Sequence, residues 1–235
     1  MRAIRAHVPA YEALTLSWML ALLLWVALSG YTGSFLQLHS WRMAWGDAFF
    51  PHFTHLGDGL LAASLGMLLL SGRRQPEALL LPFALLLLGL LIGLGKQLLF
   101  PDWGRPALVL GEERIHLISL GKERHFAFPS GHTAVAVALG FFLSRGQGAW
   151  AGLGWGLWAM AVAYSRVYIG VHFPADLVSG GAVGWFSAWA VWSGGQVKAR
   201  QRVARWPTWG ASALRGSALL LLGSSILLIY FTYYR

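Results

Sequence analysis

The 235-residue chain contains no cysteine. Disulfides and thiolate metal sites are therefore excluded. Charge is scarce as well: 11% of residues are Asp, Glu, Lys or Arg, against about 25% in a soluble domain. Acids are the scarcest, 9 against 18 Lys and Arg, which leaves a formal net charge of +9. On a soluble protein that excess would suggest nucleic acid, but here membrane topology explains it better. There is no internal repeat, no low-complexity tract and no long linker. What fills the chain is apolar: 57% of residues are hydrophobic, in runs that reach the roughly 20 residues needed to span a bilayer. Thirteen tryptophans and seven tyrosines suit interfacial belts. The predicted class is all-α, a polytopic membrane helix bundle of six core transmembrane helices plus a seventh, C-terminal one. A single transmembrane domain is expected over residues 1–235, with its core at 13–195 and the extra helix at 212–233.

The runs order themselves along the chain. Residues 13–35 form the first, too long for the apolar core of a signal peptide and without a cleavage site after it, so it reads as a retained helix. Residues 36–55 read as a mixed loop at the interface, rich in Trp and Phe. Helices are predicted at 57–71, with Asp58 as its cap, and at 78–100, with Lys96 in the last turn. A long polar loop follows at 101–128. Further helices are predicted from Ser130 to about 143, at 150–168 and at 174–192; then come a basic turn at 196–205 and the final run at 212–233. The small residues Ser179, Gly180, Gly181, Ala182 and Gly184 permit close helix packing.

Lys and Arg set the orientation. Arg2, Arg5, Arg73, Arg74, Arg145, Lys198, Arg200, Arg202, Arg205 and Arg215 fall on one side if the N-terminus is cytoplasmic. Lys96, Arg105 and Arg166 fall on the other, with most of the acids. Four helix ends then meet on the non-cytoplasmic face, bringing residues far apart in sequence to one depth.

Those residues have a shared chemistry. Pro129-Ser130-Gly131-His132 reads as a helix start, with Ser130 as N-cap and Gly131 allowing close backbone approach. A helix N-terminus suits a phosphate. Lys96, Arg105 and Arg166 add cations, and arginine's fork matches phosphate oxygens in pairs. His172 and Asp176 are spaced so that their side chains can meet at a helix start; a carboxylate on one ring nitrogen leaves the other more nucleophilic. His132 is a second imidazole, able to protonate a leaving oxygen. Each feature alone also fits a plainer reading: a capped helix, a snorkelling lysine, a satisfied His–Asp pair.

Taken together, Lys96…Arg105-Pro106, Pro129-Ser130-Gly131-His132 and Ser165-Arg166…His172…Asp176 resemble the three-part signature of the type-2 phosphatidic acid phosphatase superfamily, in its integral-membrane lipid phosphate phosphatase branch. The second and third parts match at every diagnostic position. The first departs, because Gln97 to Gly104 separate the lysine from the arginine and the family's usual gap is two residues shorter.

The resemblance implies that His172 attacks phosphorus and forms a phosphohistidine, that Asp176 holds His172, and that His132 protonates the departing lipid oxygen. It implies that Lys96, Arg105, Ser130, Gly131 and Arg166 cradle the phosphate, with no metal and no cofactor. The expected partners are membrane lipids, with no nucleic acid. The expected substrate is a lipid phosphate or diphosphate: undecaprenyl diphosphate, lipid A phosphate, phosphatidylglycerol phosphate or phosphatidic acid. The expected location is a bacterial inner membrane, with the active site on the periplasmic side. Two other readings use the same residues: transfer of the phosphoryl group to an acceptor lipid, and non-catalytic lipid or anion transport. Against transport, the charges gather at one face and do not line a route across.

Overall fold

The computed structural model describes residues 9–72, 74–118, 125–207 and 209–233. The first apolar run is not one helix. α1 spans Pro9–Ser29 and α2 spans Tyr31–His39, divided by Gly30 at φ 75°. That left-handed conformation favours glycine and cannot continue a right-handed helix. The break puts Tyr31 at the head of a new helix. The segment expected as an interfacial loop is largely helical too: α2 runs on to His39, α3 spans Gly46–Phe53, and a 3-10 turn over Thr54–Gly57 leads into α4, Gly59–Leu70. Ring packing holds α3 in place, since Phe50 meets both Tyr164 and Tyr168 while Phe49 stacks on Phe53. The α3 segment and α4 meet at 73°.

α5 spans Gln75–Leu94 and ends in a π-helical turn over Gly95–Leu99. The short α6 covers Pro106–Leu110, inside what reads from sequence as loop. α7 spans Gly131–Ser144, α8 Ala149–Tyr168, α9 Pro174–Ala204 and α10 Gly210–Tyr233. The basic segment expected as a turn is the last third of α9, a helix of 31 residues. Its Gln, Lys, Ala and Arg residues are good helix formers. The preceding glycine pair does not stop the helix, because Gly195 is a contact surface: a Cβ there would lie 2.7 Å from Leu80 Cδ2 on α5.

α7 is the axis of the bundle. Every residue from Thr133 to Ser144 is buried, and α7 packs on α9, α8, α5, α4 and α1. A helix that is apolar all round belongs in such a position. Its 14 residues carry the chain about 21 Å at 1.5 Å per residue. At the far end, Arg145 pairs with buried Glu12 at 2.9 Å, and Arg74 Nη1 donates to the Arg145 carbonyl at 3.2 Å. The near end carries Ser130 and His132.

Among the described residues, Ala10–Ser29, Gln75–Leu99 and Gly210–Thr232 are long and apolar enough to cross a bilayer, and the bent α3–α4 pair passes the same test as one broken span. Leu20, Leu24 and Leu28 on α1, Leu86 and Leu90 on α5, and Leu220 and Leu227 on α10 point outward. Lipid is the solvent that such surfaces suit. The protein is an all-α integral membrane bundle, with α10 lying against α4.

Candidate active site

Two helix N-termini meet at the near end. Ser130 caps α7: its Oγ accepts from the Thr133 hydroxyl at 3.0 Å and from the Thr133 amide at 3.5 Å. The Ser130 amide donates to the carbonyl of Asp176 at 3.0 Å, tying this cap to the first turn of α9. Glycines allow the approach. A Cβ on Gly180 would lie 2.2 Å from the Ser130 carbonyl oxygen, and one on Gly184 would lie 2.1 Å from that of Ala134. The small-residue stripe read from sequence is thus the face on which α7 rests.

His172 sits in the tight connection between α8 and α9. Gly170 turns the chain at φ 82°, and the amides of Val171 and His172 both donate to the Arg166 carbonyl, at 3.0 and 3.3 Å. His172 Nδ1 lies 3.1 Å from Asp176 Oδ2, and both side chains are buried. The same carboxylate oxygen accepts the Phe173 amide at 2.9 Å, so Asp176 orients the ring and starts α9 together. Oδ1 accepts from the Tyr31 hydroxyl at 3.0 Å, and the Tyr31 oxygen accepts from Trp103 Nε1 at 2.6 Å. With Nδ1 engaged, Nε2 is the nitrogen left to react.

His132 has its own carboxylate. Its Nε2 lies 3.0 Å from Asp58 Oδ1, and Asp58 Oδ2 lies 2.8 Å from His55 Nδ1. The 3-10 turn presses on α7 here, since a Cβ on Gly57 would lie 2.9 Å from His132 Cβ. Asp58 does occupy the N-cap position of α4, but its side chain makes no capping hydrogen bond. The expectation of a simple cap is corrected: the two imidazoles take the carboxylate instead. Asp58 also lines a cavity of about 240 Å³ between α4 and α10.

The cations surround His172. Arg166 is 8% exposed, and its Nη1 donates to Thr54 Oγ1 at 2.7 Å. Arg105 Nε donates to the His125 carbonyl at 3.2 Å. Lys96 stands in the π turn that ends α5. A π turn holds one residue more than an α turn, which takes up part of the longer gap between Lys96 and Arg105. Burial, then the charges of Arg166, Arg105 and Lys96 and the neighbouring His132, hold the His172 imidazole well below its ordinary pKa. A neutral ring keeps its lone pair. The structure thus gathers His172, Asp176, His132, Ser130, Gly131, Lys96, Arg105 and Arg166 at one end of the bundle.

Three partners were hidden from sequence reasoning. Tyr31 lay inside an apolar run, where a buried tyrosine hydroxyl in need of an acceptor is the only signal. Trp103 lay in a loop. Thr54 carried no signal at all.

A family model described as the PAP2 superfamily matches residues 77–200, more than half the chain and all of the residues just gathered. The chain belongs to the PAP2 superfamily. Two curated relatives are similar over shorter stretches. The lipid A 4'-phosphatase of Bacteroides thetaiotaomicron is 34% identical over 76 residues, which is 32% of this chain and 34% of that protein. The undecaprenyl-diphosphatase of Sulfolobus acidocaldarius is 34% identical over 67 residues, 28% of this chain and 32% of that protein. The matched stretch therefore spans about a third of the length of each relative. The likeness to the crystal structure of Aquifex aeolicus LpxE is broader: it has a TM-score of 0.63 and 28% identity, and covers 69% of this chain and 94% of that one.

Proposed function

We propose that this PAP2 chain is a membrane lipid phosphatase that hydrolyses a lipid phosphomonoester or diphosphate through a phosphohistidine. The observation that carries the reading is the buried His172–Asp176 pair, 3.1 Å apart, whose imidazole is held below its ordinary pKa by burial and by the charges of Arg166, Arg105 and Lys96. A neutral imidazole ringed by fixed cations is built to receive an anion and attack it.

In the first step His172 Nε2 bonds to phosphorus and the bond from phosphorus to the leaving oxygen breaks, the lipid alcohol's oxygen in a monoester and the bridging oxygen of the departing lipid monophosphate in a diphosphate. His132 gives that oxygen its proton. Lys96, Arg105, Arg166, the Ser130 hydroxyl and the amides at Gly131 stabilise the equatorial oxygens. In the second step water attacks the phosphohistidine, His132 takes the proton, and inorganic phosphate departs while His172 is regenerated. Asp176 stabilises the positive charge that develops on His172.

The names of the relatives support lipid A phosphate and undecaprenyl diphosphate as the first substrates to try. The distribution of Lys and Arg along the sequence supports a cytoplasmic N-terminus with the site on the periplasmic face of a bacterial inner membrane, and residues 1–235 are taken to act as one phosphatase unit. The test is a phosphate-release screen of the purified full-length chain in detergent, across lipid A, undecaprenyl diphosphate, phosphatidylglycerol phosphate and phosphatidic acid. Release from at least one is expected. Binding without release from any of them would favour a carrier.

A further inference from the structure

We propose that Asp58 is the positioning residue of His132, forming with it a second carboxylate–imidazole pair dedicated to proton transfer. The inference rests on the phosphatase reading above. Its grounds are geometric. Asp58 Oδ1 is 3.0 Å from His132 Nε2, and Oδ2 is 2.8 Å from His55 Nδ1. One carboxylate therefore spans two rings and is fixed from both sides. The residues come from separate elements: His55 from the 3-10 turn, Asp58 from the start of α4, and His132 from the first turn of α7. Gly57 makes the approach possible, because any side chain there would strike the His132 Cβ. A cap for α4 would need none of this, and the side chain does no capping.

The arrangement repeats, on the second histidine, the logic of His172 and Asp176. Asp58 holds the hydrogen on Nε2 and leaves Nδ1 as the working nitrogen. When His132 is doubly protonated, Asp58 stabilises the cation, and the Nδ1 proton goes to the departing lipid oxygen as the bond from phosphorus to that oxygen breaks. His132 is then neutral, and Nδ1 takes a proton from the water that attacks the phosphohistidine. The proton lent in the first step is recovered in the second, so no outside acid is consumed. His55 braces the far oxygen of Asp58.

The test separates leaving groups. An alkoxide must be protonated as it departs, while a nitrophenolate leaves readily without a proton. The purified full-length protein and its Asp58→Asn and Asp58→Ser variants are assayed on octyl phosphate and on 4-nitrophenyl phosphate. The readout is kcat/KM, which covers the steps up to formation of the phosphoenzyme. Serine can still cap a helix, so Asp58→Ser keeps the plainer role while removing the carboxylate, and it stands in should the Asn variant fold poorly. Both variants are expected to lose on the order of 10²-fold with octyl phosphate, the low end of what general acid help contributes, and less than about threefold with 4-nitrophenyl phosphate. Equal losses on the two substrates, full activity on both, or recovery by serine alone would each overturn the role. A parent protein that releases phosphate from no substrate would instead defeat the phosphatase reading itself.

Discussion

The Tyr31 hydroxyl donates to Asp176 Oδ1 across 3.0 Å, joining residues 145 positions apart. It is held there by the Phe173 ring, tilted 30° to the Tyr31 ring with centroids 4.2 Å apart, and by the Trp103 indole that donates to its oxygen. The carboxylate that holds His172 is thus braced by α2 and by the loop before Arg105. Tyr31→Phe keeps the ring and removes one hydrogen bond to a charged group, worth about 1.5 kcal/mol. A drop in kcat of about tenfold is expected, together with a fall of a few degrees in melting temperature. Unchanged kcat would show that Asp176 needs no second anchor.

Arg166 contributes shape as well as charge. It reaches Thr54 Oγ1 through Nη1, and its carbonyl accepts the amides of Val171 and His172. Arg166→Lys retains the charge but loses the fork. Turnover is expected to fall on the order of 10²-fold, the scale of losing one donor to developing charge. Parent-level activity with lysine would reduce Arg166 to a point charge.

Gly180 is a steric prediction. The Ser130 carbonyl oxygen would lie 2.2 Å from an added Cβ, and it is backbone, so it cannot swing aside as a side chain can. Gly180→Ala should cost about 1–3 kcal/mol, the range for overpacking, lowering the melting temperature in detergent and displacing the α7 cap. An unchanged melting temperature with full activity would mean that the two helices separate freely.

The His172 ring gives a pH prediction. Burial first, then the nearby cations, lower its pKa well below 6.5. The charged form is the disfavoured one, so the neutral ring persists as pH falls. At pH 5.5 an ordinary imidazole is about nine-tenths protonated. Nitrogen chemical shifts of labelled protein in detergent, assigned by comparison with His172→Gln, should show His172 still neutral there. A midpoint at or above 6.5 would contradict the site's electrostatics.

Much of this site is local in sequence, which is why it could be read there. Pro129-Ser130-Gly131-His132 carries the residue preferences of a helix start, and His172 with Asp176 needs only one helical turn to meet. The paired carboxylate of His132 is different. Asp58 and His132 are joined only by the packing of α4's entrance on α7, and from sequence the residue before Gly59 looks like any cap. The same holds for the helix boundaries. Gly30 breaks an apolar run that composition alone would carry through, and Gly195 fails to break α9 because Leu80 fills the space against it. Periodicity registers which residues are apolar; it does not register which glycine is used for a turn and which for a contact.

The proposed phosphohistidine can be sought directly. Full-length protein is mixed with ³²P-labelled substrate, quenched within milliseconds in alkali, and mapped by peptide. Label that is stable to alkali, labile to acid and confined to the peptide containing His172, and absent from His172→Ala, is the expected result. Turnover with no such label, or label that persists in His172→Ala, would contradict attack by this imidazole.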